Sequence, residues 1–66
     1  MKVYLNGEVT EVPGNLNLEQ LLEHFSLPMQ RVAIELNKGV VRRTDWSNVN
    51  ISESDKIEVI HFVGGG

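Results

Sequence analysis

Two histidines, a scatter of serines and carboxylates, and three consecutive glycines are the residues of this chain whose types could do chemistry. Ser26 or Ser47, His24 or His61, and Asp45 or Asp55 can be assembled into a nucleophilic triad on paper. A triad is defined by mutual geometry and roles, however, and no spacing here singles out a nucleophile. His24 falls on the polar face of a helical pattern, and His61 lies in a strand pattern without a second ligand at metal-site spacing. Asp45, Glu53 and Asp55 lack the Asp-x-Asp-x-Asp-Gly order of a calcium loop. Gly64, Gly65 and Gly66 make no phosphate cradle, which needs a helix and a lysine after its glycines. There are no cysteines, so the chain offers no thiolate for a metal, a disulfide or a nucleophilic step. What remains is a carboxylate. Read as a C-terminus, Gly66 ends in one, and it becomes an acylating group once its oxygen is turned into a leaving group, as in an acyl-adenylate made with ATP. A partner must supply the nucleotide site.

The bulk properties set the frame for that group. A chain of 66 residues makes one small domain that buries only about 60% of its unfolded surface, which leaves no room for a deep catalytic cleft. With 41% hydrophobic and 23% charged residues the composition is that of a folded protein. The net charge of −3 and a single basic pair, Arg42-Arg43, argue against a nucleic-acid partner. No charged-then-apolar leader opens the sequence, and no apolar run approaches the roughly 20 residues of a bilayer span. The expectation is a cytoplasmic protein with no membrane partner.

The elements that must position the glycines emerge from periodicity. "MKVYLNGEVTEV" sets two alternating runs on either side of Asn6-Gly7, a strong hairpin signal because both central residues of a type I′ turn need positive φ. Strands at Lys2–Asn6 and Glu8–Val12 then pair Leu5 with Glu8, Tyr4 with Val9 and Lys2 with Glu11. In "LNLEQLLEHF", Leu18, Leu21, Leu22 and Phe25 form the apolar stripe of a helix. Asn17 is its N-cap, Gln20 completes a capping box, Leu16 packs on Leu21 as a staple, and Pro28 ends the helix by Leu27. "RVAIELN" alternates as a half-buried strand, and Lys38-Gly39 turns it into a short "VVRR" strand. "TDWSN" makes one helical turn capped by Thr44, with Trp46 as a packing residue. "KIEVIHFV" is the last strand, apolar on both faces.

Strand, strand, helix, strand, short strand, last strand is the order of an α+β β-grasp, the ubiquitin-like roll. It has a mixed sheet of about five strands, with one main helix packed on one face. Its last strand runs down the middle of the sheet and releases the C-terminal residues as a tail. This divides the chain into a folded domain, 1–63, and a flexible glycine tail, 64–66, whose three residues reach at most roughly 10 Å. The helix covers only one sheet face. Tyr4, Val9, Ile60 and Phe62 should lie on the other, beside Glu35 and Glu58, as an apolar patch with acidic company. Such a patch fits a partner whose docking groove carries Arg or Lys.

At this level the chain resembles the ThiS family, the small sulfur carriers of thiamine biosynthesis. The resemblance runs through "VYLNGE", "LEQLLEHF", "VAIELNKGVVRRTDW", "SDKIEVIHFVGGG" and the terminal Gly-Gly. It departs at Arg42-Arg43, where the family often has Pro-Arg, and at Glu53-Ser54-Asp55, where it often has Asp-Gly-Asp. The resemblance implies a protein cosubstrate, with no bound cofactor or metal of its own. Gly66 would be adenylated by a ThiF-type enzyme using ATP and magnesium. Sulfur from a persulfide donor would convert the adenylate to a thiocarboxylate, which thiazole synthase, a ThiG-type enzyme, would consume in building the thiamine thiazole. Two alternatives share the fold and the tail. One is a MoaD-like subunit that gives sulfur to a molybdopterin precursor, and the other is a ubiquitin-type modifier joined to lysines.

Overall fold

The computed structural model describes residues 1–62; Val63 and the predicted tail, Gly64 to Gly66, lie outside the described residues. Strands β1 (Lys2–Leu5) and β2 (Glu8–Glu11) form the expected hairpin. Its register pairs Lys2 with Glu11, Val3 with Thr10, Tyr4 with Val9 and Leu5 with Glu8, as the two-residue loop requires. Asn6 at φ 50° and Gly7 at φ 84° supply the paired left-handed conformations of that loop.

Helix α1 (Leu18–His24) opens on the predicted capping box. The Asn17 side chain accepts from the Gln20 amide at 2.7 Å, and the Gln20 side chain accepts from the Asn17 amide at 3.0 Å. Of the apolar stripe read from the sequence, Leu18, Leu21 and Leu22 are fully buried, while Phe25 is the C-cap and packs on the core partly buried. The helix stops before proline acts on it. Ser26 adopts φ 55°, its amide donates to the Glu23 carbonyl at 3.0 Å, and the Leu27 amide donates to the Leu22 carbonyl at 2.8 Å. That is a Schellman ending with serine in the left-handed position usually held by glycine.

Strand β3 (Val32–Leu36) is joined to β4 (Gly39–Val41) by a turn one residue earlier than the sequence suggests. Asn37 at φ 51° and Lys38 at φ 74° are its central pair, so Gly39 is already paired with Leu36. The expected "VVRR" strand consequently ends at Val41. The chain enters a 3₁₀ helix, Arg43–Asn48, whose N-cap is Arg42 with no side-chain capping bond; Thr44 sits inside it and does not cap it. Trp46 is a packing residue, only 2% exposed. Its indole N–H donates to the Val41 carbonyl at 3.0 Å, and the Arg43 guanidinium lies 4.8 Å from its ring centroid, so one aromatic closes the core end and orders a surface arginine.

Strand β5 (Lys56–His61) completes a five-stranded sheet in the order β2-β1-β5-β3-β4. It runs parallel to β1 and antiparallel to β3, which makes the last strand the central one. Below the sheet, Val3, Val12, Val32, Ile34, Ile51 and Ile57 join the helix leucines and Trp46 in a single buried cluster. At the far end of β5 a polar knot closes the loops. Asn37 donates to the Asp55 carboxylate at 3.0 Å and accepts from the Lys56 amide at 2.9 Å, and Asp55 also accepts from the Ser52 amide at 2.7 Å. The mixed sheet with one helix on one face is the architecture expected of a β-grasp.

Candidate functional site: the uncovered sheet face

Alternation places every second residue of each strand on the face away from α1. From β2 to β4, the registers put Val9, Tyr4, the β5 residues Lys56, Glu58 and Ile60, then Ala33 and Glu35, and finally Val40 on that face. Phe62 continues the same side of β5, its amide donating to the Arg31 carbonyl at 2.7 Å. The six residues expected there, Tyr4, Val9, Glu35, Glu58, Ile60 and Phe62, therefore share one face. Val9 is 60% exposed, Ile60 43% and Phe62 52%, while Tyr4 and Glu35 are half-buried and Glu58 is exposed. Together they put contiguous apolar side chains in water on one sheet face, which makes that face the candidate interaction surface of the described residues.

Val40 is a further member, 73% exposed and paired with Glu35. Strand alternation is the signal that identifies it, because a two-residue loop centred on either Asn37-Lys38 or Lys38-Gly39 puts Val40 on the face of Glu35. Electrostatically, Glu35 and Glu58 are direct cross-strand partners. Like charges placed opposite each other disfavour the sheet, so this pair makes a local negative spot between Ile60 and the Lys56 end of the strand. Nearby, an open cleft of about 360 Å³ is lined by Tyr4, Asn6, Gly7, Lys56, Ile57 and Glu58, where β1 ends against β5.

The other chemical candidates separate. His24 is exposed at the end of α1, edge-on to Phe25 with ring centroids 4.7 Å apart. Asp55 is committed to the polar knot. Among the described residues, no three His, Asp or Glu side chains converge as a metal site, and no helix is long and apolar enough to cross a membrane. The predicted reactive group, Gly66, together with Gly64 and Gly65, lies outside the described residues. The structure does bring β5 out of the sheet centre beside the apolar face, and the glycines come soon after it in the sequence.

A mixed sheet with its last strand central, one helix on one face and an apolar opposite face defines the ubiquitin-like β-grasp class. Comparison with known proteins narrows the class. The model of the ThiS family matches residues 3–66. The crystal structure of the thiamine biosynthesis protein ThiS from Geobacter metallireducens superposes with a TM-score of 0.88 at 29% identity, covering 100% of both chains. The sulfur carrier protein ThiS of Bacillus subtilis is 35% identical over 49 residues, 74% of this chain and 74% of that protein. A thiazole synthase of Magnetococcus marinus is 44% identical over 66 residues, 100% of this chain. The chain spans only 20% of that enzyme's length, and 20% of a second thiazole synthase, from Paramagnetospirillum magneticum. The chain belongs to the ThiS family.

Proposed function

We propose that this chain is the sulfur carrier for assembly of the thiamine thiazole, with the sulfur held as a thiocarboxylate on Gly66. The observation that carries this reading is the extent of the family match, which includes the glycines as well as the domain. Two thiazole synthases that contain a similar unit along its whole length favour thiazole synthase as the enzyme that takes the sulfur.

The chemistry asked of the chain is small. A Gly66 carboxylate oxygen attacks the α-phosphorus of magnesium-bound ATP on a ThiF-type partner, and pyrophosphate leaves. The terminal sulfur of a persulfide attacks the resulting acyl carbon, and AMP leaves. A thiol then cleaves the acyl disulfide, giving the thiocarboxylate and a new disulfide. Glycine suits the tail because a chain without Cβ can thread a narrow channel to the nucleotide. The domain's task is to bind and orient. Val9, Tyr4, Ile60 and Phe62 supply the apolar contact, Val40 extends it, and the Glu35–Glu58 pair selects a partner with a basic residue at that spot.

Intact mass spectrometry after incubation with ATP, magnesium, a ThiF-type enzyme and a persulfide source tests the reading. One oxygen is expected to be replaced by sulfur, located at Gly66. The change should be absent from a chain lacking Gly65 and Gly66, and strongly reduced in Phe62→Asp. An unchanged mass, while a known carrier is converted in the same mixture, would overturn it.

A further inference from the structure

The hydrogen bonds of β5 leave one stretch of its backbone unaccounted for. Its antiparallel register with β3 turns the amides and carbonyls of Lys56, Glu58, Ile60 and Phe62 toward β3. The Asn37 amide donates to the Lys56 carbonyl at 2.7 Å, and the Phe62 amide donates to the Arg31 carbonyl at 2.7 Å. Ile57, Val59 and His61 must therefore present theirs to the β1 side. Strand β1 meets this side only at the start, pairing Tyr4 with Lys56 and Leu5 with Ile57. Asn6 then finishes the ladder twice over. Its amide donates to the Ile57 carbonyl at 2.8 Å, and its side-chain carbonyl accepts from the Val59 amide at 2.9 Å. There Asn6 and Gly7 swing the chain away into β2.

Past that point, the Val59 carbonyl and the His61 amide and carbonyl face a side on which no strand among the described residues lies. This half-edge differs from the outer edges of the sheet, where β2 has four residues and β4 three. It belongs to the central strand, it is bordered on the open face by Ile60 and Phe62, and the cleft lined by Tyr4, Asn6, Gly7 and Glu58 opens at its start.

We infer that this half-edge receives an extended segment of thiazole synthase as an added strand, in the slot β1 vacates at Asn6. The inference rests on the carrier reading above. Strand addition uses main-chain bonds for affinity and alternate side chains for selectivity. Here the main-chain part is three bonds, to the Val59 carbonyl and to the amide and carbonyl of His61. The alternation fixes the chemistry of the segment. Its residues on the open-face side lie beside Ile60 and Phe62 and must be apolar, and the one that reaches the Glu58 end must be basic. Such a segment would hold β5 from one side while the enzyme surface covers the open face, aligning the residues after His61 with the enzyme.

His61→Pro isolates the step, because it removes an N–H that faces no strand among the described residues, at a position on the free side of the strand where proline is tolerated. The unaltered chain, His61→Pro, His61→Ala and Phe62→Asp would each be titrated with thiazole synthase by calorimetry, with amide hydrogen exchange monitored at His61. The expected result is a His61 amide that exchanges freely in the isolated chain and is protected at least tenfold in the complex. His61→Pro should raise Kd about tenfold, the loss of one hydrogen bond in a desolvated interface, with its urea midpoint unchanged. His61→Ala, which keeps the N–H, should bind like the unaltered chain. If Phe62→Asp weakens binding while His61→Pro binds normally and the His61 amide stays exchangeable in the complex, the face docks without an added strand and the inference falls alone. Failure of the unaltered chain to bind sinks the partner reading and the inference together. Protection of His61 by self-association, without the enzyme, would assign the edge to a second copy and overturn it as well.

Discussion

Asn6 performs two separable tasks. Its backbone at φ 50° makes the β1–β2 turn, and its side chain satisfies the Val59 amide where β1 runs out. Asn6→Gly keeps the first and removes the second, leaving a strand N–H without its acceptor. We expect it to lower stability by about 1–2 kcal/mol, read as a reduced urea midpoint, whereas Asn6→Asp keeps an acceptor and most of the stability. Equal losses from the two variants would show that the side-chain bond contributes nothing. The first task is legible in the sequence, because Asn-Gly between alternating runs is a local signal. The second is not, since its partner is 53 positions along the chain and no neighbouring residue announces it. Trp46 divides the same way. Its burial is a matter of its size, but its bond to the Val41 carbonyl depends on how the 3₁₀ helix folds back.

Among the elements, the β3–β5 ladder is where stability and recognition pull apart. Glu35 and Glu58 stand opposite each other, an arrangement that disfavours pairing by roughly 0.2–1 kcal/mol. Glu58→Gln should therefore stabilise the free chain by a few tenths of a kcal/mol while weakening its binding to the proposed activating enzyme. Denaturant unfolding and a binding titration on the same sample check both halves. A variant that binds as well as the unaltered chain would remove the acidic pair from the recognition surface. The helix and the first hairpin are legible because capping boxes and two-residue loops are written within a few positions. The second hairpin reads one residue late from sequence, as Lys38-Gly39, because glycine is the usual left-handed residue. The structure gives that conformation to Asn37 and Lys38 instead. Sliding a two-residue loop by one position changes the partner of Val40 from Asn37 to Glu35 but not its face, because those two residues lie on the same side of β3. The sequence leaves the partner open, while strand alternation alone already puts Val40 on the open face.

For the molecule as a whole, a formal charge of −3 and the acidic, apolar face proposed for docking predict association that is steered by charge and completed by apolar burial. Raising salt from about 0.05 to 0.5 M should slow association with the proposed activating enzyme severalfold and change dissociation much less. Stopped-flow mixing would show it, and a salt-independent association rate would contradict it. The central position of β5 has a consequence of a different kind, for the order in which the chain becomes competent. The two hairpins and α1 can form from neighbouring residues, but the halves of the sheet meet only when β5 inserts between β1 and β3, and such non-local closure is the slow step of small mixed folds. Until then Tyr4 and Glu35 belong to separate pieces and no continuous face exists. Under the proposed function, the strand leading to the glycines would act as a latch: a chain in which β5 has not inserted would lack the continuous face, and its charging with sulfur should fail.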